Sequence, residues 1–207
     1  MAYRPTEKTE ARKAAQRQRI LDAGARIVSE GGFGAVTISA IAQQAGMATG
    51  AVYMHFSSKA ALCAELFRLA TQKEVDVVRE TALREGSPSQ RLLDAILAFA
   101  KRAIRARRLA FALIAEPVDA LVDAERLRYR HAYAEIFQQL VEDGIRSGDF
   151  PAQDASISAA ALVGVIAEAL VGPLMWQEGH QPVIEEKALI RSIQAFCLRA
   201  VAMKSPE

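Results

Sequence analysis

The chain has 207 residues, 51% of them hydrophobic, with 26 Lys/Arg against 24 Asp/Glu and a formal net charge of +2. This length suits one or two helical domains with a real core. The absence of an uncharged apolar run of about 18 residues argues against a membrane span, and the charged N-terminus lacks the apolar centre of a secretion signal. Two cysteines, Cys63 and Cys197, make no disulfide framework, so both are expected as core thiols in a reducing cytoplasm.

Helical periodicity dominates and no clear strand pattern emerges, so the expected class is all-α with about nine helices. A first helix is expected over residues 8–30, with Ile20, Ala23, Ile27 and Val28 inward; Gly31, Gly32 and Gly34 end it. Thr37 is a good N-cap for a second helix that turns Ile38, Ile41, Ala42 and Ala45 inward. Gly46 falls where the chain must stop and turn, with an expected positive φ, and Met47 plugs the turn. A third helix over residues 48–56 buries Val52 and Phe56 and leaves Thr49, Gly50, Tyr53 and Met54 outward. Two short helices around such a turn form a helix-turn-helix signature, in which the start of the second helix meets base edges and the first crosses the backbone.

Ser57 or Ser58 is expected to cap a fourth helix that runs to about residue 84, long enough to link two domains. Residues 85–89 are the clearest break, with Ser89 expected to cap a fifth helix over 90–105. A junction at 105–108 precedes a short apolar helix ending near 116–117. A seventh helix is expected over 122–146, and Asp154 is the expected cap of an eighth over 155–177. A turn at 179–182 leads into a ninth helix over 183–203.

The basic excess is local. Residues 1–60 hold eight Lys/Arg and four acids, so the remainder of the chain is net acidic. Arg12, Lys13, Arg17 and Arg19 precede the first apolar helix face and can reach phosphates, which supply most sequence-independent DNA affinity.

The chain resembles the tetracycline-repressor (TetR/AcrR) family of bacterial regulators. The residues that carry the resemblance are 18–33, 37–46 (Thr-Ile-Ser-Ala-Ile-Ala-Gln-Gln-Ala-Gly) and 52–62 (Val-Tyr-Met-His-Phe-Ser-Ser-Lys-Ala-Ala-Leu). The resemblance implies an N-terminal DNA-binding domain over 1–58 and a helical effector-binding and dimerisation domain over 59–207. It implies that Thr37 and Ser39 open the helix touching the DNA backbone, that Thr49, Gly50 and Ala51 face base edges, and that Tyr53, His55 and Lys59 bind phosphate. The chain departs from the family at two DNA-facing positions. Ala48 stands where the recognition helix is often capped by Ser, and Met54 where the residue is often aromatic or His. With Gly50 and Ala51 offering no side-chain hydrogen bonds, thymine-methyl contacts and DNA shape are expected to carry more of the specificity.

A small-molecule pocket is expected among the helices of residues 90–180. Candidate lining residues are Phe99, Phe111, Ile114, Tyr129, Tyr133, Phe137, Met175 and Trp176, with Arg102, Arg105 or His131 to neutralise an acidic ligand and Glu168 to meet a cation. The small-residue eighth helix and the ninth are expected to form a two-fold interface through Ala160, Gly164, Glu168, Val171, Ile193 and Phe196, because a symmetric dimer matches a palindromic operator.

No enzyme is expected. His55, His131 and His180 are scattered without metal-type spacing, and no nucleophile elbow or phosphate loop appears. The acid pairs Asp119/Asp123 and Glu185/Glu186 suit helix starts. No cofactor or metal is expected. The favoured reading is a repressor released from its operator by a small molecule. The alternatives are a ligand-independent DNA binder of the same fold and a helical interaction protein that does not bind DNA.

Overall fold

The computed structural model describes residues 7–175 and 185–203, and within them every regular element is helical. Helix α1 (Glu7–Gly31) buries Ile20, Leu21, Ala23, Gly24 and Val28 on one face, and Glu7 and Glu10 lie at its positive end. A 3-10 turn (Phe33–Ala35) leads to α2 (Ile38–Ala45), whose Thr37 cap accepts from the Ala40 N–H at 3.1 Å. Gly46 closes α2 at φ 63°, with Met47 N–H donating to Ala42 O at 2.9 Å and Gly46 N–H to Gln43 O at 3.1 Å. This is the doubly bonded helix end that glycine permits.

Helix α3 (Thr49–Tyr53) is shorter than the expected 48–56. Ala48 occupies its cap position with no side-chain acceptor, and beyond Tyr53 a turn carries Phe56 into the core, with Phe56 N–H on Val52 O at 3.0 Å. Ser58 then caps α4 (Lys59–Ala82), accepting from Ala61 N–H at 3.0 Å.

Helix α5 (Pro88–Arg105) begins two residues earlier than expected. Ser87, not Ser89, is its cap, because Pro88 fills the first helical position, where its missing N–H costs nothing. Helix α6 (Arg107–Ile114) follows across Ala106, and Asp119 caps α7 (Ala120–Ser147) through the Leu121 and Val122 N–H groups. Asp154 caps α8 (Ala155–Leu174), and α9 spans Glu186–Ala202.

Helix α4 packs on α5 and α7, α7 on α8, and α9 on α5. One apolar core runs from the first helices into the bundle, with Phe33, Phe67 and Phe137 among its largest fully buried side chains. Phe33 stands 6.1 Å from Phe67 on α4, and Phe67 stands 6.2 Å from Tyr129 on α7, so an aromatic row crosses from the N-terminal helices to the bundle. Cys63 and Cys197 are both buried, and burial pushes each thiol up to about 11. Protonated at neutral pH, neither is an activated nucleophile.

Near the end of α7, Gly144 lies against the buried Phe150 ring with no room for a Cβ. Gly144→Ala is expected to destabilise the fold by about 1–3 kcal/mol through overpacking. Urea unfolding at fixed protein concentration measures this; an unchanged midpoint counts against so tight a contact.

Candidate DNA interface and effector pocket

Helix α1 sorts its basic residues into two groups. Arg12 and Lys13 are exposed, a turn before the buried face begins. Arg17 and Arg19 are engaged within the protein. The Arg17 guanidinium pairs with Glu65 on α4 and lies 4.9 Å from the Phe56 ring centroid. Arg19 donates to Ala45 O and sits 3.4 Å from Gly46 O, satisfying the carbonyl end of α2. The sequence expectation had these two arginines reaching for phosphates. Their spacing held the signal for the intrachain contacts: Arg17 lies three and four residues before buried Ile20 and Leu21, on the same helical face.

Thr37, Ser39, Thr49 and Gly50 are all exposed, with the Thr37 and Ser39 hydroxyl oxygens 3.1 Å apart. A Cβ on Gly50 would meet nothing within 4 Å, so that face of α3 is open and flat. Ala51 is half-buried and less outward than expected, because it neighbours the inward Val52. Tyr53 is 57% exposed and Met54 80%, a large apolar investment in solvent for residues with no packing role. Lys59 is exposed at the first position of α4. His55 is half-buried; burial first, then the charges of Lys13 and Arg17, hold its imidazole below the usual 6.5. Lys13 and Arg17 therefore stand close enough to His55 to disfavour its charged form, and form the positive region beside α3.

A second site lies in the bundle. It is a largely apolar pocket with an open mouth. Its walls are Phe67, Thr71, Glu74 and Val78 of α4; Phe99, Arg102 and Ala103 of α5, with Ala106 beyond it; Leu109, Ala110, Leu113 and Ile114 of α6; Arg126, Tyr129, Arg130 and Tyr133 of α7; and Val163 and Ala167 of α8. Phe99 meets Tyr133 edge-on at 5.1 Å. Arg102 holds Glu74 in a two-pronged pair at 2.5 and 2.8 Å. Arg126 donates to Leu113 O at 3.1 Å and Glu116 O at 2.7 Å and pairs with Asp123. Arg130, exposed at the mouth, has no ion-pair or hydrogen-bond partner among the described residues.

Of the expected lining residues, Phe99, Arg102, Ile114, Tyr129 and Tyr133 meet in this pocket. Phe111 and Phe137 do not line it: Phe137 is 1% exposed within the core and Phe111 packs against that core from the far side of α6's pocket-facing residues. Glu168 and Met175 are exposed on α8 away from the pocket, Arg105 and His131 are exposed outside it, and Trp176 and His180 lie outside the described residues. Sequence reasoning missed Thr71, Glu74, Arg126 and Arg130. The signal was the α4 spacing Phe67, Thr71, Glu74, Val78, one stripe of a helix read only as a linker.

The largest omission is Glu116. This carboxylate, 8% exposed after α6, accepts from Phe33 N–H at 3.0 Å and Gly34 N–H at 2.9 Å. Arg108 of α6 lies 3.5 Å from it and also donates to Gly31 O. The helix that walls the pocket is thereby bonded to the end of α1 and the turn before α2.

Tyr53→Phe and Lys59→Ala are expected to weaken binding to all DNA sequences alike, and Lys59→Ala to lower the salt slope of log K by about one. Fluorescence anisotropy across a salt series measures both; unchanged affinity counts against these roles. His55 starts below 6.5 in the free protein, and a neighbouring phosphate raises it, so binding takes up a proton. DNA affinity is expected to rise as pH falls through the interval between the free and bound values, and His55→Gln to flatten that rise.

The chain matches the family of bacterial regulatory proteins of the tetR type over residues 20–66 and the tetracyclin repressor-like C-terminal domain over 85–170. It is 30% identical over 142 residues to the HTH-type transcriptional repressor KstR2 of Rhodococcus jostii, covering 67% of this chain and 69% of that one. The repressor KstR of Mycolicibacterium smegmatis is 38% identical over 77 residues, 37% of this chain and 38% of that protein. In fold it is similar to FadR of Bacillus subtilis, solved in complex with stearoyl-CoA, with a TM-score of 0.74, 20% identity, and 89% and 98% of the two chains covered. With its helix-turn-helix, basic flank and bundle pocket, the chain belongs to the TetR family of bacterial regulatory proteins.

Proposed function

We propose that this protein represses from a palindromic operator as a homodimer and is released when an anionic amphiphile fills the bundle pocket. In this reading residues 1–58 bind DNA, residues 59–207 bind effector and partner, the protein works in the cytoplasm, and no catalysis is involved. The observation that carries it is the double duty of α6: Leu109, Ala110 and Leu113 wall the pocket while Arg108 and the following Glu116 hold the turn at Phe33–Gly34. A ligand that prefers a displaced α6 shifts the population toward a state with the wrong spacing between paired recognition helices.

The effector class follows from the walls. They are mostly apolar, with Arg130 unpaired and Arg102 shared with Glu74 among their few polar groups. An apolar body with a carboxylate or phosphate head satisfies both. The stearoyl-CoA held by the Bacillus subtilis FadR structure is of this chemistry.

The dimer reading is supported by α8. Its mean hydropathy is 2.0, long and apolar enough by composition to cross a membrane, yet only 28% of it is buried. Ala160 and Glu168 are exposed, Gly164 and Val171 half-buried, and Gly164 and Gly172 face open space, so a second helix can approach closely. Phe196 of α9 is 52% exposed beside them. Ile193 is 4% exposed and packs into its own bundle, so it drops out of this face.

Selection from a random DNA library is expected to yield a palindrome, from which stearoyl-CoA releases the wild-type protein. Glu116→Ala is expected to bind stearoyl-CoA within about threefold of wild type while the effect of ligand on operator affinity falls from about 5–150-fold toward unity. Release of Glu116→Ala equal to wild type would overturn the coupling route; no palindrome would overturn the dimeric operator.

A further inference from the structure

Thr71 is 5% exposed, and its hydroxyl is the one buried side-chain polar atom among the described residues that has no hydrogen-bond partner within the protein. A threonine inside a helix ordinarily turns its hydroxyl onto the carbonyl four residues back. Thr81 of the same helix, also 5% exposed, does this, donating to Val77 O at 2.8 Å. Thr71 forgoes that bond and lies in the pocket wall between Phe67 and Glu74. A buried unpaired hydroxyl costs stability, so folding alone gives no reason for a hydroxyl here.

Tyr133 adds a hydroxyl that is unpaired among the described residues but not fully shielded from solvent. It lines the same pocket at 8% exposure, and its hydroxyl makes no hydrogen bond among the described residues, whereas that of Tyr129 donates to Arg68 O at 3.0 Å and Gln72 at 3.1 Å. Burial, then the Glu74 charge, pushes the Tyr133 phenol upward, so it stays protonated and offers a donor.

We propose that Thr71 and Tyr133 form a specificity site for an oxygen function, hydroxyl or carbonyl, on an otherwise apolar effector. The proposal rests on the reading of the pocket as an anionic-amphiphile site and narrows it. In a wholly apolar pocket, adding a hydroxyl to the buried end of a ligand weakens binding, because the group loses water and finds no partner. Where protein hydroxyls wait for it, the preference reverses, and the analogue lacking oxygen leaves them unpaired.

The test is calorimetric titration of the full chain with saturated fatty acids of eight to sixteen carbons and with their hydroxy counterparts, the hydroxyl placed at the third carbon or at the terminus. The length series walks the terminal oxygen along the pocket. At one or more lengths the hydroxy acid is expected to bind about tenfold or more tighter than its parent. Thr71→Val is expected to return the preference to the parent acid and Thr71→Ser to keep it. The ligand-free Thr71→Val protein is expected to melt no lower than wild type, since the variant removes an unpaired group and keeps the shape. Tighter parent acids at every length, an unchanged ratio in Thr71→Val, or a lowered Tm of the ligand-free variant would each overturn the proposal. Binding of neither series would overturn the anionic-amphiphile reading and this inference with it, an outcome distinct from bound acids without discrimination.

Discussion

Glu116 sits in the connector after α6 with both carboxylate oxygens engaged, one by Phe33 N–H and the other by Gly34 N–H, and with Arg108 alongside. A buried carboxylate is costly unless its hydrogen bonds are made, so the connector has one stable seat, against the turn that ends α1. Gly32 makes the seat possible: at φ 74° it lies directly beneath Arg108 and Glu116, where any Cβ would collide with both. Arg126 secures the connector from the other side through the carbonyls of Leu113 and Glu116. The position of the DNA-reading helices relative to the bundle depends on this small polar knot, backed by the aromatic row Phe33, Phe67, Tyr129.

Two helices therefore reach both sites. α6 does so through the knot. α4 does so along its length, with Lys59 at the DNA-facing start and Phe67, Thr71, Glu74 and Val78 on the pocket wall further on. Packed helices rearrange between discrete arrangements more readily than they deform, which suits a switch with an occupied and an unoccupied state. The ion pair of Arg102 with Glu74 joins α4 to α5 beside the pocket, and an anionic head competes for the same guanidinium.

On the DNA side the charges divide by role. Arg17 and Arg19 brace α1 against α4 and α2, and so set the pose of α3. Arg12, Lys13 and Lys59 are exposed, and His55 is half-buried beside Lys13 and Arg17. The reading face itself is small, Thr49 and Gly50 with Met54 projecting beyond, which favours apolar contact and groove shape over a dense set of base hydrogen bonds.

The sequence by itself determined the local events. Thr37 and Asp154 cap helices where their side chains foretold, Ser58 is the one of two adjacent serines that caps α4, and Gly46 turns with positive φ, because a cap or a left-handed glycine acts within four residues of itself. It misplaced the start of α5, where Pro88 and Ser89 offered competing signals, and the length of α3, where the demand to bury Phe56 outweighed helical propensity. Only the tertiary structure decided which polar residues face each other. Glu116 meets residues more than eighty positions away, Arg17 meets Glu65 across forty-eight, and Thr71 acquires its meaning from α7. Periodicity reports which face of a helix is apolar; it carries no information on which other helix will cover that face, and the pocket and the knot both lie between helices.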